Sequence, residues 1–186
     1  MNLLKKVWVF FLRPKYQTYT YPRTLQRRVF LNLLGWNIAI AIGVGFVIEI
    51  TREALDVDVG THGMNRLFGE YHPLGILAMA VVLAPVLEES LFRGPLILFK
   101  KSTYFALALY TSIFLFGLIH LFNFEGYQNA LWFAPLLFLP QLITGVFLSY
   151  IRVRMGLGHA MLFHALFNLI LLGPFVLVEL LNPSAN

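Results

Sequence analysis

The chain contains no cysteine. That excludes a disulfide framework, a thiolate nucleophile and a thiolate metal site. Charge is also scarce: only 12% of its 186 residues are Asp, Glu, Lys or Arg and 59% are hydrophobic, whereas soluble domains carry roughly a quarter charged residues. An ordinary soluble domain is therefore excluded in favour of a single membrane-embedded one. Two catalytic signatures are missing as well. No His-Glu-x-x-His helix pair occurs, and Ser90 has no base signature beside it that would build a Ser-His-Asp arrangement. There is no internal repeat or low-complexity segment, and Leu3 to Leu12, interrupted by Lys5 and Lys6 and followed by Arg-Pro-Lys, does not read as a cleavable signal. The net charge of +5 is no argument for nucleic acid, because its cations gather at helix ends on one side of the spans.

Those spans are what the composition supplies instead. Residues 1–28 form a basic segment in which Leu3, Leu4, Val7, Phe10 and Phe11 share one helical face, which predicts an amphipathic helix lying on an anionic leaflet. Five apolar runs follow, at about Val29–Ile50, Leu74–Phe99, Tyr104–Phe122, Ala130–Ile151 and Leu157–Leu181. The expected fold is an all-α polytopic bundle of about five transmembrane helices plus the interfacial helix. It divides into the segment 1–28, a first span and loop at 29–73, a four-helix core at 74–181 and a tail at 182–186. Lys5, Lys6, Arg13, Lys15, Arg23, Arg27 and Arg28 precede the first span, and Lys100, Lys101, Arg152 and Arg154 fall in short loops on the same side. The positive-inside rule then makes the N-terminus cytoplasmic and the C-terminus external.

Glu88-Glu89-Ser90-Leu91-Phe92-Arg93 interrupts the second run with three formal charges. A carboxylate at mid-bilayer costs a few kcal/mol or more, so such a cluster reads as a functional site. Glu89 and Arg93 are i,i+4 with the acid first, the favourable order for an ion pair. Glu88 is rotated about 100° away. Phe116 and His120, and likewise His164 and Asn168, stack one turn apart in later spans. Counting helix rise from the charged ends, Glu88 lies roughly 18 Å deep, His120 roughly 24 Å and His164 roughly 10–15 Å. Convergence requires the second helix to continue through Gly94-Pro95; Pro85 and Pro95 should distort it and free carbonyls able to solvate a buried water.

A carboxylate and two imidazoles around a water can deprotonate it and stabilise the oxyanion formed on an amide. The expected roles are Glu88 as general base, His120 as co-orienting group, and His164 and Asn168 as oxyanion donors. Glu89, Arg93 and Phe116 would support them. Asn37, Glu49 and Gln141 read as interhelical or interfacial polar groups, His62 and His72 as solvated loop residues, and His159 as interfacial.

The Glu-Glu-x-x-x-Arg run at Glu88, Glu89 and Arg93, the Phe-x-x-x-His pair Phe116 and His120, and the His-x-x-x-Asn pair His164 and Asn168 together resemble the CAAX prenyl protease and bacteriocin-processing (CPBP, or Abi) family of intramembrane endopeptidases. The resemblance covers about residues 74–178. It implies an all-helical bundle with a glutamate-activated water and no cofactor, acting on a peptide or protein substrate, prenylated or membrane-embedded, within the lipid bilayer. Before the last motif many members carry a Thr-Gly-Ser-Leu-Trp-like run, where this chain has Met155-Gly156-Leu157-Gly158-His159. Two other readings stand beside it: a metallopeptidase holding zinc or another divalent ion on Glu88, Glu89, His120 and His164, and a non-catalytic immunity, scaffold or proton-handling protein.

Overall fold

The structure is a computed structural model describing residues 2–19 and 22–181; the tail set apart at 182–186 lies outside them. Among the described residues the architecture is all-α with no strand. The helices are α1 (Leu3–Leu12), α2 (Arg23–Ala54), α3 (Gly63–Glu70), α4 (Pro73–Ile97), α5 (Phe105–Ile119, continued by a 3₁₀ turn His120–Asn123), α6 (Ala134–Leu137), α7 (Leu139–Met155) and α8 (Leu157–Leu181). Four of them, α2, α4, α5 with its extension and α8, are long and apolar enough to cross a membrane. The chain is a multi-pass membrane protein.

The expected fourth span, 130–151, is not one helix. Pro135 and Pro140 each sit in the first turn of a helix, α6 and α7, and Phe138 is the junction between them. A proline is tolerated at a helix start but has no N–H with which to continue an earlier helix. The result is a 17-residue α7, about 25 Å long and short of a ~30 Å hydrocarbon layer. It need not match lipid, because it is the central post. Residues 147–153 are buried without a break, and α2, α5 and α8 all pack on it. Small side chains permit that closeness. A Cβ on Gly117 of α5 would lie 2.5 Å from Leu142 Cδ2, and one on Gly145 would lie 3.3 Å from Arg93 Nη2. Asn37 of α2 is fully buried and accepts a 3.3 Å hydrogen bond from Thr144 Oγ1 of α7, as its reading as interhelical glue anticipates.

The apolar face of α1 also departs from expectation. Val7 and Phe10 are buried in the main core, with Leu3, Leu4 and Phe11 packed against it. Tyr110 of α5 donates a 2.6 Å bond to the Phe11 carbonyl. The face expected to rest on lipid rests on protein, since α5 and α7 present aromatic partners to it.

At the opposite end the α2–α3 loop clamps the turn after α5. Gly126 N–H donates to Val59 O (2.8 Å), Glu125 N–H to Thr61 O (3.1 Å) and Thr61 Oγ1 to Glu125 Oε2 (2.7 Å). Beneath them Val57, Val59, Leu121 and Phe133 form a second small core. The two segments meet at paired glycines: a Cβ on Gly126 would fall 2.7 Å from Gly60 N. Gly126→Ala is expected to cost about 1–3 kcal/mol through this overpacking, read as a lower unfolding temperature in detergent. Gly69→Ala, with nothing within 4 Å, should be close to neutral.

Candidate active site

The site is built on the irregularity of α4. Its helix continues through Gly94-Pro95, as convergence requires, but contains two π turns, Met79–Leu83 and Glu89–Arg93, each followed within two residues by a proline. The N–H groups of Ala84 and Gly94 reach back five residues, to Met79 O and Glu89 O. That widening accommodates a ring that has no N–H and would collide with the carbonyl four residues earlier. It leaves carbonyls needing other donors, and in a bilayer these must come from the protein. Neighbouring helices supply them. Asn168 Nδ2 of α8 donates to Ala80 O (2.7 Å), Ser112 Oγ of α5 to Phe92 O (2.7 Å), and Arg152 Nε of α7 to Arg93 O (3.0 Å). The freed carbonyls are thus tied to side chains, where the sequence suggested they would solvate a water.

The second π turn carries the acids. Glu89 and Arg93 are both fully buried and paired at 3.2 Å. The guanidinium lies over the Phe116 ring, 3.9 Å from its centroid, so the cation faces an aromatic surface where Glu89 does not reach it. The Glu89 Oε1 that accepts from Arg93 also accepts from His164 Nδ1 at 3.1 Å. A carboxylate cannot donate, so this contact places the proton on Nδ1 and turns Nε2 to the other side.

On that other side is Glu88. Its Oε2 lies 4.0 Å from His164 Nε2 and 3.9 Å from His120 Nε2. His120 donates Nδ1–H to the Phe116 carbonyl at 2.7 Å, which again leaves Nε2 facing the carboxylate, and its ring packs on that of Phe116 with centroids 4.8 Å apart. The His164 ring therefore stands between the two acids, one nitrogen to each. Glu88 and His120 side chains keep 27% and 18% exposure, while Glu89 and His164 keep 0% and 4%. One pair is reachable and the other is sealed behind it. Separations near 4 Å are too long for a direct hydrogen bond and match groups that share a bridging molecule.

Glu88, Glu89, Arg93, Phe116, His120 and His164 are thus brought together. Asn168 stands one turn from His164, and its amide is bonded to Ala80 rather than to Glu88. Among the described residues no group of three or more His, Cys, Asp or Glu side chains is arranged to hold a metal ion. The four ligands considered from sequence do not converge, because Glu89 and Glu88 face opposite edges of the His164 ring.

The placement of Arg152 and His62 differs from what their sequence positions suggest. Arg152, read as a loop cation, is buried inside the end of α7, where it bonds Arg93 O and the Tyr16 hydroxyl. His62, read as a solvated loop residue, caps α3 by accepting from Met64 N–H (3.2 Å) and stands edge-on to Phe124. Burial first, and then the neighbouring His120 charge, push its imidazole below the ordinary histidine value of 6.5. Arg152 is placed by segments distant in the chain, whereas His62 caps its own helix and only its burial against Phe124 comes from a distant segment.

An acid and an imidazole open to a substrate, backed by a sealed imidazole, carboxylate and guanidinium, have the composition of a hydrolytic centre. No curated protein and no solved structure matches the chain. The family described as Rce1-like, type II CAAX prenyl endopeptidase, matches residues 70–170, a stretch that contains every one of these side chains and more than half of the 186 residues. A membrane-spanning bundle carrying that centre across that stretch belongs to the Rce1-like family of type II CAAX prenyl endopeptidases.

Proposed function

We propose that the chain is a glutamate-dependent intramembrane endopeptidase whose nucleophile is a water held between Glu88, His120 and His164. The observation that carries this reading is the Glu88 Oε2 atom. It is buried, has no hydrogen-bond partner among the described residues, and faces Nε2 of two imidazoles at 3.9 and 4.0 Å. A water in that gap gives one hydrogen to Glu88 and the other to His120 Nε2, leaving an oxygen lone pair for the scissile carbonyl. As the C–O bond forms, Glu88 takes the proton. The carbonyl oxygen becomes an oxyanion that accepts from a protonated His164 Nε2, a charge that Glu89 balances at the far nitrogen. Collapse breaks the C–N bond, and Glu88 returns its proton to the leaving amine.

Asn168 enters this scheme as a positioning residue. Its bond to Ala80 O fixes α4 against α8, which sets the distance between Glu88 and His164. The substrate class proposed is a peptide near the C-terminus of a prenylated protein, presented from the membrane, with the cation-bearing ends of the helices cytoplasmic.

Purified protein in liposomes, given a farnesylated peptide and its unmodified counterpart, tests the reading. Cleavage is expected to favour the farnesylated peptide and to persist under chelator. His120→Ala should lower the rate by about 10²-fold or more. Activity lost to chelation and restored by zinc would establish the metal-dependent alternative. No cleavage of either peptide, with the fold intact, would favour a non-catalytic role.

A further inference from the structure

We propose that the end of the bundle remote from the α2–α3 clamp carries a binding site for a phosphate-bearing anion, the headgroup of an anionic phospholipid, between α1, the strap that follows it and the end of α7. A cavity of about 430 Å³ opens there, and its charged lining consists of Lys6, Arg13, Lys15 and Arg154. No carboxylate lines it, and no Asp or Glu occurs anywhere in the chain before Glu49. The segment that builds most of the cavity therefore contains no counter-ion of its own. Four cations converging without an acid repel one another, and an anion in the cavity relieves that repulsion.

The site is preorganised. Arg154 Nη1 donates to both the backbone and side-chain oxygens of Gln17, at 2.7 and 3.2 Å. Its guanidinium is walled by the rings of Phe10, Tyr19 and Tyr150, at 5.7, 5.9 and 5.5 Å. Tyr19 N–H donates to Arg154 O at 2.7 Å, and the Tyr19 and Tyr150 hydroxyls are hydrogen-bonded to each other. The strap is thereby pinned to the end of α7. Arg154 lines the cavity with Gln17 oxygens, and no carboxylate, among its side-chain acceptors. A guanidinium held in place by neutral neighbours suits a phosphate oxygen, and its planar fork recognises tetrahedral oxyanions better than an ammonium does.

The surroundings point to a lipid as the source of the anion. On α1, Trp8 and Leu12, 59% and 55% exposed, flank the cationic face and would meet acyl chains while Lys6 and Arg13 meet the headgroup. Lys15 lies just beyond, where the chain leaves the helix. This site stands apart from the Glu88 centre, and its test is independent of peptidase activity.

The experiment is native mass spectrometry of the full chain in detergent, titrated separately with phosphatidylglycerol, phosphatidylcholine and inorganic phosphate. Phosphatidylglycerol should be retained at least ~10-fold more strongly than phosphatidylcholine. Removing two of the exposed cations with R13Q/K15Q should weaken it by ~10-fold or more, at about fivefold per cation near a membrane surface. R23Q/R27Q removes the same charge from the start of α2 and should change retention by less than ~3-fold. Both double variants alter residues exposed on the surface, and an unchanged unfolding temperature confirms that each has folded. Inorganic phosphate that binds in the wild type, displaces the lipid and is lost in R13Q/K15Q would support the site with the free ion as its occupant. Equal losses in the two double variants would overturn the proposal, as would no preference for phosphatidylglycerol together with no phosphate binding.

Discussion

Glu88→Gln is expected to abolish peptide cleavage, lowering kcat by about 10³-fold or more, while leaving the fold as stable as before. Gln keeps the length and both heavy atoms of the head group but cannot take a proton from water at neutral pH. Stability should hold because Glu88 does little structural work. Its Oε2 has no hydrogen-bond partner among the described residues and its side chain is 27% exposed. The separation of the two readouts gives the test its force. A variant that unfolds with the wild type and no longer cleaves identifies a lost proton acceptor. One that retains cleavage to within about tenfold removes Glu88 from the role of base, because general-base catalysis contributes roughly 10²–10⁴-fold where it operates.

The second large effect concerns the sealed pair. Glu89→Gln and Arg93→Met should each destabilise the protein by about 3–5 kcal/mol, because each leaves a charge buried without its partner. Glu89 and Arg93 have no exposed surface through which water could compensate. The double variant should recover much of that loss, since removing both charges also removes the desolvation cost. Activity should not recover with it. Glu89 holds the His164 proton on Nδ1, and without that acceptor the ring is free to turn its lone pair or the wrong nitrogen toward Glu88. Loss of such an orienting carboxylate costs up to about 10⁴-fold in serine proteases, where the analogous group has been replaced by its amide. Denaturation of the four forms in one detergent, with kcat for each, measures both quantities. A double variant that is stable and active would reduce Glu89 to a structural counter-ion.

Most of the architecture is legible in local patterns. Length and apolarity mark four spans that the structure contains, and the i,i+4 spacing of Glu89 and Arg93 anticipates their ion pair, since rise and rotation along a helix are fixed by its own backbone. Length and apolarity misassign the run at 130–151. Its apolarity is real, but Pro135 and Pro140 cut it, and the remaining α7 is sheltered by protein and so released from the length a lipid-facing helix must reach. The amphipathic face of α1 was legible too; that it would be covered by α5 and α7 was not, because apolar residues meet lipid and protein with similar ease.

The amino-acid sequence alone determines that this is a membrane-embedded helical chain, that its rare intramembrane ionisable groups fall on three separate helices, and that the family's motifs run in order. Tertiary structure decided how those groups face one another. It put the His164 ring between two acids, left Glu88 open and Glu89 closed, and sent Arg152, Ser112 and Asn168 to the carbonyls of the distorted α4. The division has a physical origin. Periodicity within a helix is a property of neighbouring residues, whereas the rotation, tilt and depth of one helix against another are settled by side chains that pack across dozens of intervening positions.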